Sequence, residues 1–218
     1  MPSFALPLSQ SGLRPSTKQY LVLDAGKAIL NFNADYLRAT GDWIGATDPN
    51  NGWIDDNGDL VYPQPLGATR GGTNMALGKT ERQVEADGRR TRIKGLVRVD
   101  MVEPYFDLEL LEMGSKLQLS IAIASSVRAD HPRYVEYTPS LLVQDGDYFG
   151  NVAVLATVSG ESDPMIYLLD NVRVDEVADF PLRDKNEQTV KVKLYGHALL
   201  TAPTVMPVHF FVPITYAS

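Results

Sequence analysis

The residues able to do chemistry are numerous, but they are not arranged for it. Asp and Glu together number 27 in 218 residues, and no spacing singles out a catalytic pair. There is no Gly-x-Ser-x-Gly elbow and no His-Glu-x-x-His helix. His131, His197 and His209 are scattered, without the i, i+4 spacing of metal ligands on a helix. Asp55, Asn57 and Asp59 imitate the start of a calcium loop, yet Leu60 and Leu66 stand where that loop needs glycine and a closing acid. A solvated Asp/Asn turn is the simpler reading. Gly67-Ala68-Thr69-Arg70-Gly71-Gly72 lacks the Gly-Lys-Ser/Thr ending of a phosphate loop. The absence of cysteine removes disulfides, thiol nucleophiles and Cys-ligated metals. The expectation is a protein that is not an enzyme and needs no cofactor.

One basic cluster remains: Arg89, Arg90, Arg92, Lys94 and Arg98. It could meet phosphates, but Glu81 and Glu85 precede it across Asp87-Gly88, a strong two-residue hairpin signal. A type I′ turn there predicts Glu85 opposite Arg90, Gln83 opposite Arg92 and Glu81 opposite Lys94. Each cross-strand pair contributes about 0.2–1 kcal/mol. These residues are therefore candidates for cross-strand pairs or subunit contacts. A net charge of −7 also runs against a DNA-wrapping role.

The elements that position these residues are mostly strands. Apolar residues make up 44% of the chain, enough for a core, and no apolar run approaches a membrane span. With no signal peptide at the start, folding in a cytoplasm is expected. Residues 1–17, with Pro2, Pro7 and Pro15, read as an extended arm or a frayed end. Tyr20–Leu23 and Ala28–Phe32 read as a hairpin. Residues 34–65, rich in Gly, Pro, Asp and Asn, read as a long loop or small lobe inserted into a single domain covering 18–218. Strand 104–112 alternates, with Phe106, Leu108 and Leu110 on one face and Tyr105, Asp107 and Glu109 on the other. Residues 115–127 fit either a strand or a helix capped by Ser115. Asn151–Val158 and Met165–Val174 read as a second hairpin, its run Val152–Ala156 apolar on both faces. Thr189–Tyr195 alternates, and Val208–Val212 between two prolines suits an edge. The fold class is mainly β, a sandwich or barrel.

Three segments say more. Gly67-Ala68-Thr69-Arg70-Gly71-Gly72-Thr73 leads into Thr80–Ala86 and the Asp87-Gly88 turn, then Ile93-Lys94-Gly95-Leu96, Val102-Glu103-Pro104 and Leu110-Leu111-Glu112. Later come Phe180-Pro181-Leu182-Arg183-Asp184-Lys185-Asn186-Glu187 and Tyr195-Gly196-His197. In this order they resemble the major tail protein, the tail tube subunit, of long-tailed, non-contractile bacteriophages. Residues 34–65 depart from the simpler pattern of that family. The resemblance implies a tail-tube β-sandwich with one flanking helix, which favours the helical reading of 115–127. It further implies a virion protein assembled in the bacterial cytoplasm into stacked hexameric rings. Its partners would be itself, a tape-measure protein and tail terminator or tip proteins, with DNA passing through the lumen without specific binding and no membrane involved. On that reading Asp107 and Glu109 are candidate lumen-facing acids, set to repel phosphate. The alternative is a carbohydrate-binding or capsid-decorating β-sandwich, with Trp43, Trp53 and Tyr62 available to stack on sugars. A contractile-tail or secretion tube subunit is the nearer variant.

Overall fold

The computed structural model of the protein describes residues 27–55, 58–67, 69–83, 97–111, 126–139, 142–143, 147–157, 162–174 and 189–214. In chain order its elements are β1 (Lys27–Leu30), α1 (Ala34–Thr40), α2 (Trp43–Ala46), β2 (Trp53–Ile54), β3 (Leu60–Val61), β4 (Gln64–Pro65), β5 (Thr69–Gln83) and β6 (Val97–Leu110). There follow β7 (Ser126–Asp130), β8 (Val135–Pro139), β9 (Phe149–Ala156), β10 (Met165–Val174), β11 (Val190–Gly196) and β12 (Val208–Phe211). Eight strands form one sheet in the order β4-β1-β9-β10-β11-β6-β5, with β12 also on β10, and every pairing is antiparallel. The protein is mainly β, as the alternating segments predict.

The connectivity forces this sheet to curl. Laid flat, seven strands at about 4.8 Å spacing would put the two edges about 29 Å apart. The chain leaves the edge strand β4 at Pro65 and enters the opposite edge strand β5 at Thr69. Four residues reach about 14 Å at most. The two edges therefore converge, and the sheet rolls into an open barrel with its seam between β4 and β5. Leu66 lies at that seam, fully buried, in one cluster with Phe106, Leu108, Leu110, Val152, Val190 and Leu194. This cluster is the barrel interior. Burying each such side chain stabilises the fold by about 1.5–3 kcal/mol.

A second cluster lies on the outer face of β1, β9 and β10. There Ile29, Ala153, Leu155, Ile166 and Leu168 pack against Phe32, Ala34 and Ala46. Strand β9 is thus covered on both sides, as its doubly apolar run requires. The cover comes from the start of the 34–65 segment. Asn33 caps α1 by accepting from the Tyr36 amide at 3.0 Å, and Gly41 ends it at φ 73°, a conformation suited to glycine. Asp42 caps α2 by accepting from the Ile44 amide at 3.0 Å. The segment is a small lobe: residues 34–46 are built into the outer core, and β2 and β3 form a short hairpin beyond it.

One expected register, at β5–β6, is corrected, and β1 has its partners within the sheet. Both edges of Ala28–Leu30 are occupied, by β9 on one side and by Gln64–Leu66 on the other. Tyr20–Leu23, the expected hairpin partner of this strand, lie outside the described residues. The register of β5 on β6 differs. Glu81 faces Val99 rather than Lys94, and Gln83 faces Val97 rather than Arg92. A β-bulge between Thr80 and Glu81 shifts the ladder. The register is set at the barrel end, where Met75 faces Phe106 and β11 holds β6 from Tyr105 to Leu110. Several buried side chains at about 1.5–3 kcal/mol each outweigh exposed ion pairs at about 0.2–1 kcal/mol. The Asp87-Gly88 turn, with Glu85, Arg90, Arg92 and Lys94, lies outside the described residues, as do 1–26, 112–125 and 175–188. Val127, placed in either a helix or a strand by its spacing, is in β7.

Candidate assembly surface

Strand β11 supports β6 only from Tyr105 onward. Residues 97–104 of β6, with their partners on β5, therefore continue as a two-stranded ribbon past the barrel, about 27 Å at 3.4 Å per residue. On β6 the even positions that point inward in the barrel are Phe106, Leu108 and Leu110. A bulge at Asp100 reverses the alternation on the ribbon: Val97 and Val99, opposite Gln83 and Glu81, lie on the face that continues the barrel interior, and Met101, opposite Thr80, lies on the outer face with Tyr105. Val97, Val99 and Met101 are 44%, 49% and 50% exposed. The outer face also carries Arg82, whose Nε donates to Asp100 Oδ1 at 2.8 Å. Glu81 pairs with Lys79 on its own strand. Each face of the ribbon thus mixes apolar and charged side chains, and Val97, Val99 and Met101 are exposed among the described residues.

On the barrel the outer face carries Tyr105, Asp107 and Glu109. All three are half-buried, on the outer surface opposite the core. Asp107 faces Lys193 and Glu109 faces Lys191 across β11. Glu109 also accepts from Thr189 Oγ1 at 2.5 Å. Tyr105 faces Tyr195, ring centroids 5.3 Å apart, with Lys193 Nζ 5.9 Å from the Tyr105 ring. The two acids thus belong to a strip balanced by two lysines, where spacing within 104–112 alone suggested an acidic face. The lysines lie about 80 positions away in sequence, and only strand pairing brings them across.

The aromatic residues of the lobe are engaged with the fold. The Trp53 indole N–H donates to Asn31 O at 2.9 Å, and the Trp43 indole N–H donates to Asp163 Oδ1 at 3.2 Å. Trp43 packs on the outer core. This is how residues pack a lobe, not how they form a free stacking platform for a sugar.

The histidines are more organised than their spacing suggests. Positive φ at Asn171 (46°) marks a kink in β10. His197 donates its amide to Asp170 O at 3.1 Å, and its Nδ1 lies 3.1 Å from Asn171 O. His209 Nε2 lies 2.8 Å from Asp170 Oδ2. The cleft beside this Asp–His pair is lined by Asp35, Arg38, Trp53 and Asn151, with no hydroxyl or thiol among its lining residues to serve as a nucleophile. The pair ties the edge strand β12 to β10. Sequence reasoning missed it because its members are 39 positions apart. Among the described residues, no three His, Asp or Glu side chains group to hold a metal.

Comparison with known proteins gives structural likeness only. No family model and no curated protein matches the chain. A chain of the virion of a native gene transfer agent particle aligns over 69% of this chain and 89% of its own length, with 10% identity and a TM-score of 0.39. A chain of the anti-feeding prophage baseplate aligns over 73% of this chain and 89% of its own, with 12% identity and a TM-score of 0.39. At these scores the likeness carries no argument about what this chain does.

Proposed function

We propose that the protein is a structural virion subunit that self-assembles into stacked rings forming a phage-type tail tube, the conduit for DNA. The observation that carries this reading is the β5–β6 ribbon. An isolated two-stranded ribbon is marginally stable in water, and this one leaves Val97 and Val99 exposed on one face and Met101 on the other among the described residues. Large apolar side chains exposed together on one projecting element mark an interaction surface. The exposed edge of β6 beside them offers backbone groups for a further strand. The motif order between residues 67 and 197, which resembles tail tube subunits, supplies the kind of assembly: hexameric rings, a tape-measure protein in the lumen, and terminator or tip proteins at the ends. On this reading the Asp107, Glu109, Lys191 and Lys193 strip faces the lumen or a neighbour. As a lumen wall it would hold DNA weakly because its charges cancel, since DNA binding rests on cations that displace counterions.

Negative-stain electron microscopy of the purified full chain at rising concentration tests the proposal. Rings or tubes are expected, with mass set by concentration. A protein that remains monomeric at millimolar concentration by sedimentation would overturn it.

A further inference from the structure

Acids and bases are segregated along the chain. Residues 39–69, which include α2, β2 and β3, carry Asp42, Asp48, Asp55, Asp56 and Asp59 and no Lys, Arg or His. Residues 79–100, the far part of the ribbon and the chain joining its strands, carry seven Lys and Arg against four acids, in a protein of net charge −7. Strand register sets the described parts of these regions at opposite ends of the fold. β6 meets β11 at Tyr105–Tyr195, and β11 meets β10 at Tyr195–Arg173. From that level the ribbon runs the way β10 runs from Arg173 back to Met165, which faces Ala156 of β9. Its free end, where Gln83 faces Val97, is therefore on the Ala156 side of the barrel. The β2–β3 hairpin sits at the other end of β9, closed on Gly150, where a Cβ would meet Asp55 Cβ and the Trp53 ring at 3.3 Å.

Both ends leave side chains uncovered. In the hairpin Trp53 faces Val61, and the Trp53 indole is bonded to Asn31 O, so the neighbouring pair Ile54 and Leu60 turns outward. Ile54 and Leu60 are 60% and 57% exposed, with Tyr62 also exposed on their face. At the ribbon's end Arg82 faces Arg98, a like-charge pair that destabilises the ribbon when alone. Asp100 accepts from Arg82, and Arg98 has no ion-pair partner among the described residues. Met101 lies on this same outer face. A groove of about 470 Å³ separates residues 99–103 from residues 203–207, so the ribbon's β6 edge stands clear of the barrel wall.

We infer that the outward face of the β2–β3 hairpin of one copy docks on the outer face of the ribbon's end in the next copy. Ile54 and Leu60 cover Met101 and the aliphatic stems of Arg82 and Arg98, and the acidic lobe around them supplies the negative field that the two arginines lack. The inference rests on the self-assembly reading above and names the surfaces that join copies end to end. Because the two patches differ and lie at opposite ends, the contact repeats from copy to copy and builds a stack rather than a closed pair.

Charge reversal in the full chain tests it. Leu60→Lys puts a cation on the hairpin's outward face, and Arg98→Glu puts an acid on the ribbon. Sedimentation velocity across a dilution series reads assembly, and thermal unfolding of dilute monomer confirms that each variant folds. Each single variant should weaken assembly by about tenfold or more, and added salt should weaken it in the unaltered protein. The two changes together should restore it to within about threefold, since lysine then meets glutamate across the contact. Full assembly in both single variants overturns the contact and leaves self-assembly standing. Loss in both without recovery in the combined variant overturns it too, because the two sites then do not meet. If Arg98→Glu leaves assembly unchanged but abolishes binding of labelled DNA, the arginines serve phosphate and the contact is overturned. An unaltered chain that never assembles overturns the self-assembly reading itself.

Discussion

Replacing Val97 and Val99 together by Thr separates assembly from folding. Valine and threonine share shape and strand preference, so the ribbon's backbone is undisturbed. The two side chains are 44% and 49% exposed, so about half of each remains to be covered by a neighbour. Full burial of a valine contributes about 1.5–3 kcal/mol. Half of that for two residues is about 1.5–3 kcal/mol per interface. At about 1.4 kcal/mol per tenfold, subunit affinity falls by roughly 10- to 150-fold. Monomer stability changes by no more than about 0.5 kcal/mol, because neither side chain contributes to a core. Sedimentation velocity across a dilution series reads the first quantity, and thermal unfolding of dilute monomer reads the second. Unchanged assembly would refute the reasoning about the ribbon. A fall in Tm of more than about 4 °C, equivalent to about 1 kcal/mol for a chain of this size, would show that the two valines are covered within the monomer.

Three further outcomes are expected. Leu66→Ala should cost about 2–5 kcal/mol in denaturant unfolding, since it opens a cavity where the barrel edges meet; a cost under 1 kcal/mol would contradict the closed seam. Asn33→Ala removes the cap of α1 and its Nδ2 contact to Asn51 O, and should lower stability by about 0.5–2 kcal/mol, with Asn33→Asp keeping most of the cap in the same melt. Changing Asp107 and Glu109 both to Lys should leave assembly intact but put four lysines on one strip of each subunit. Fluorescently labelled DNA should then bind assembled protein at low salt and release as salt rises, because the new cations displace counterions; binding indistinguishable from the unaltered protein would remove this strip from the lumen.

Local pattern was enough to find most of the strands. Phe106, Leu108 and Leu110 alternate with Tyr105, Asp107 and Glu109, and that period alone divides core from surface. The doubly apolar run at Val152–Ala156 likewise announces a strand covered on both faces. The β12 edge was readable from its flanking prolines, and it pairs with β10 alone among the described strands. The sheet order was not readable, because partners such as Lys191 and Glu109 are brought together by burial elsewhere on the same strands, not by any affinity visible in their own neighbourhood. The β5–β6 register shows the same competition: turn chemistry at Asp87-Gly88 pointed to Lys94 opposite Glu81, and the packed end of the barrel placed Val99 there. The barrel seam and the groove along β6 are likewise properties of the closed sheet. They exist only once Pro65 and Thr69 have drawn its two edges together and Gly196 has let the 203–207 segment close on β10. Side-chain alternation is a local property, so it marked the inward residues of strands such as β6 and β9, but it did not mark Ala34 and Ala46, which helices α1 and α2 bury on the outer face. Which strands are neighbours, and which surfaces are left open for a partner, was decided by tertiary packing, because each depends on contacts between residues distant in the chain.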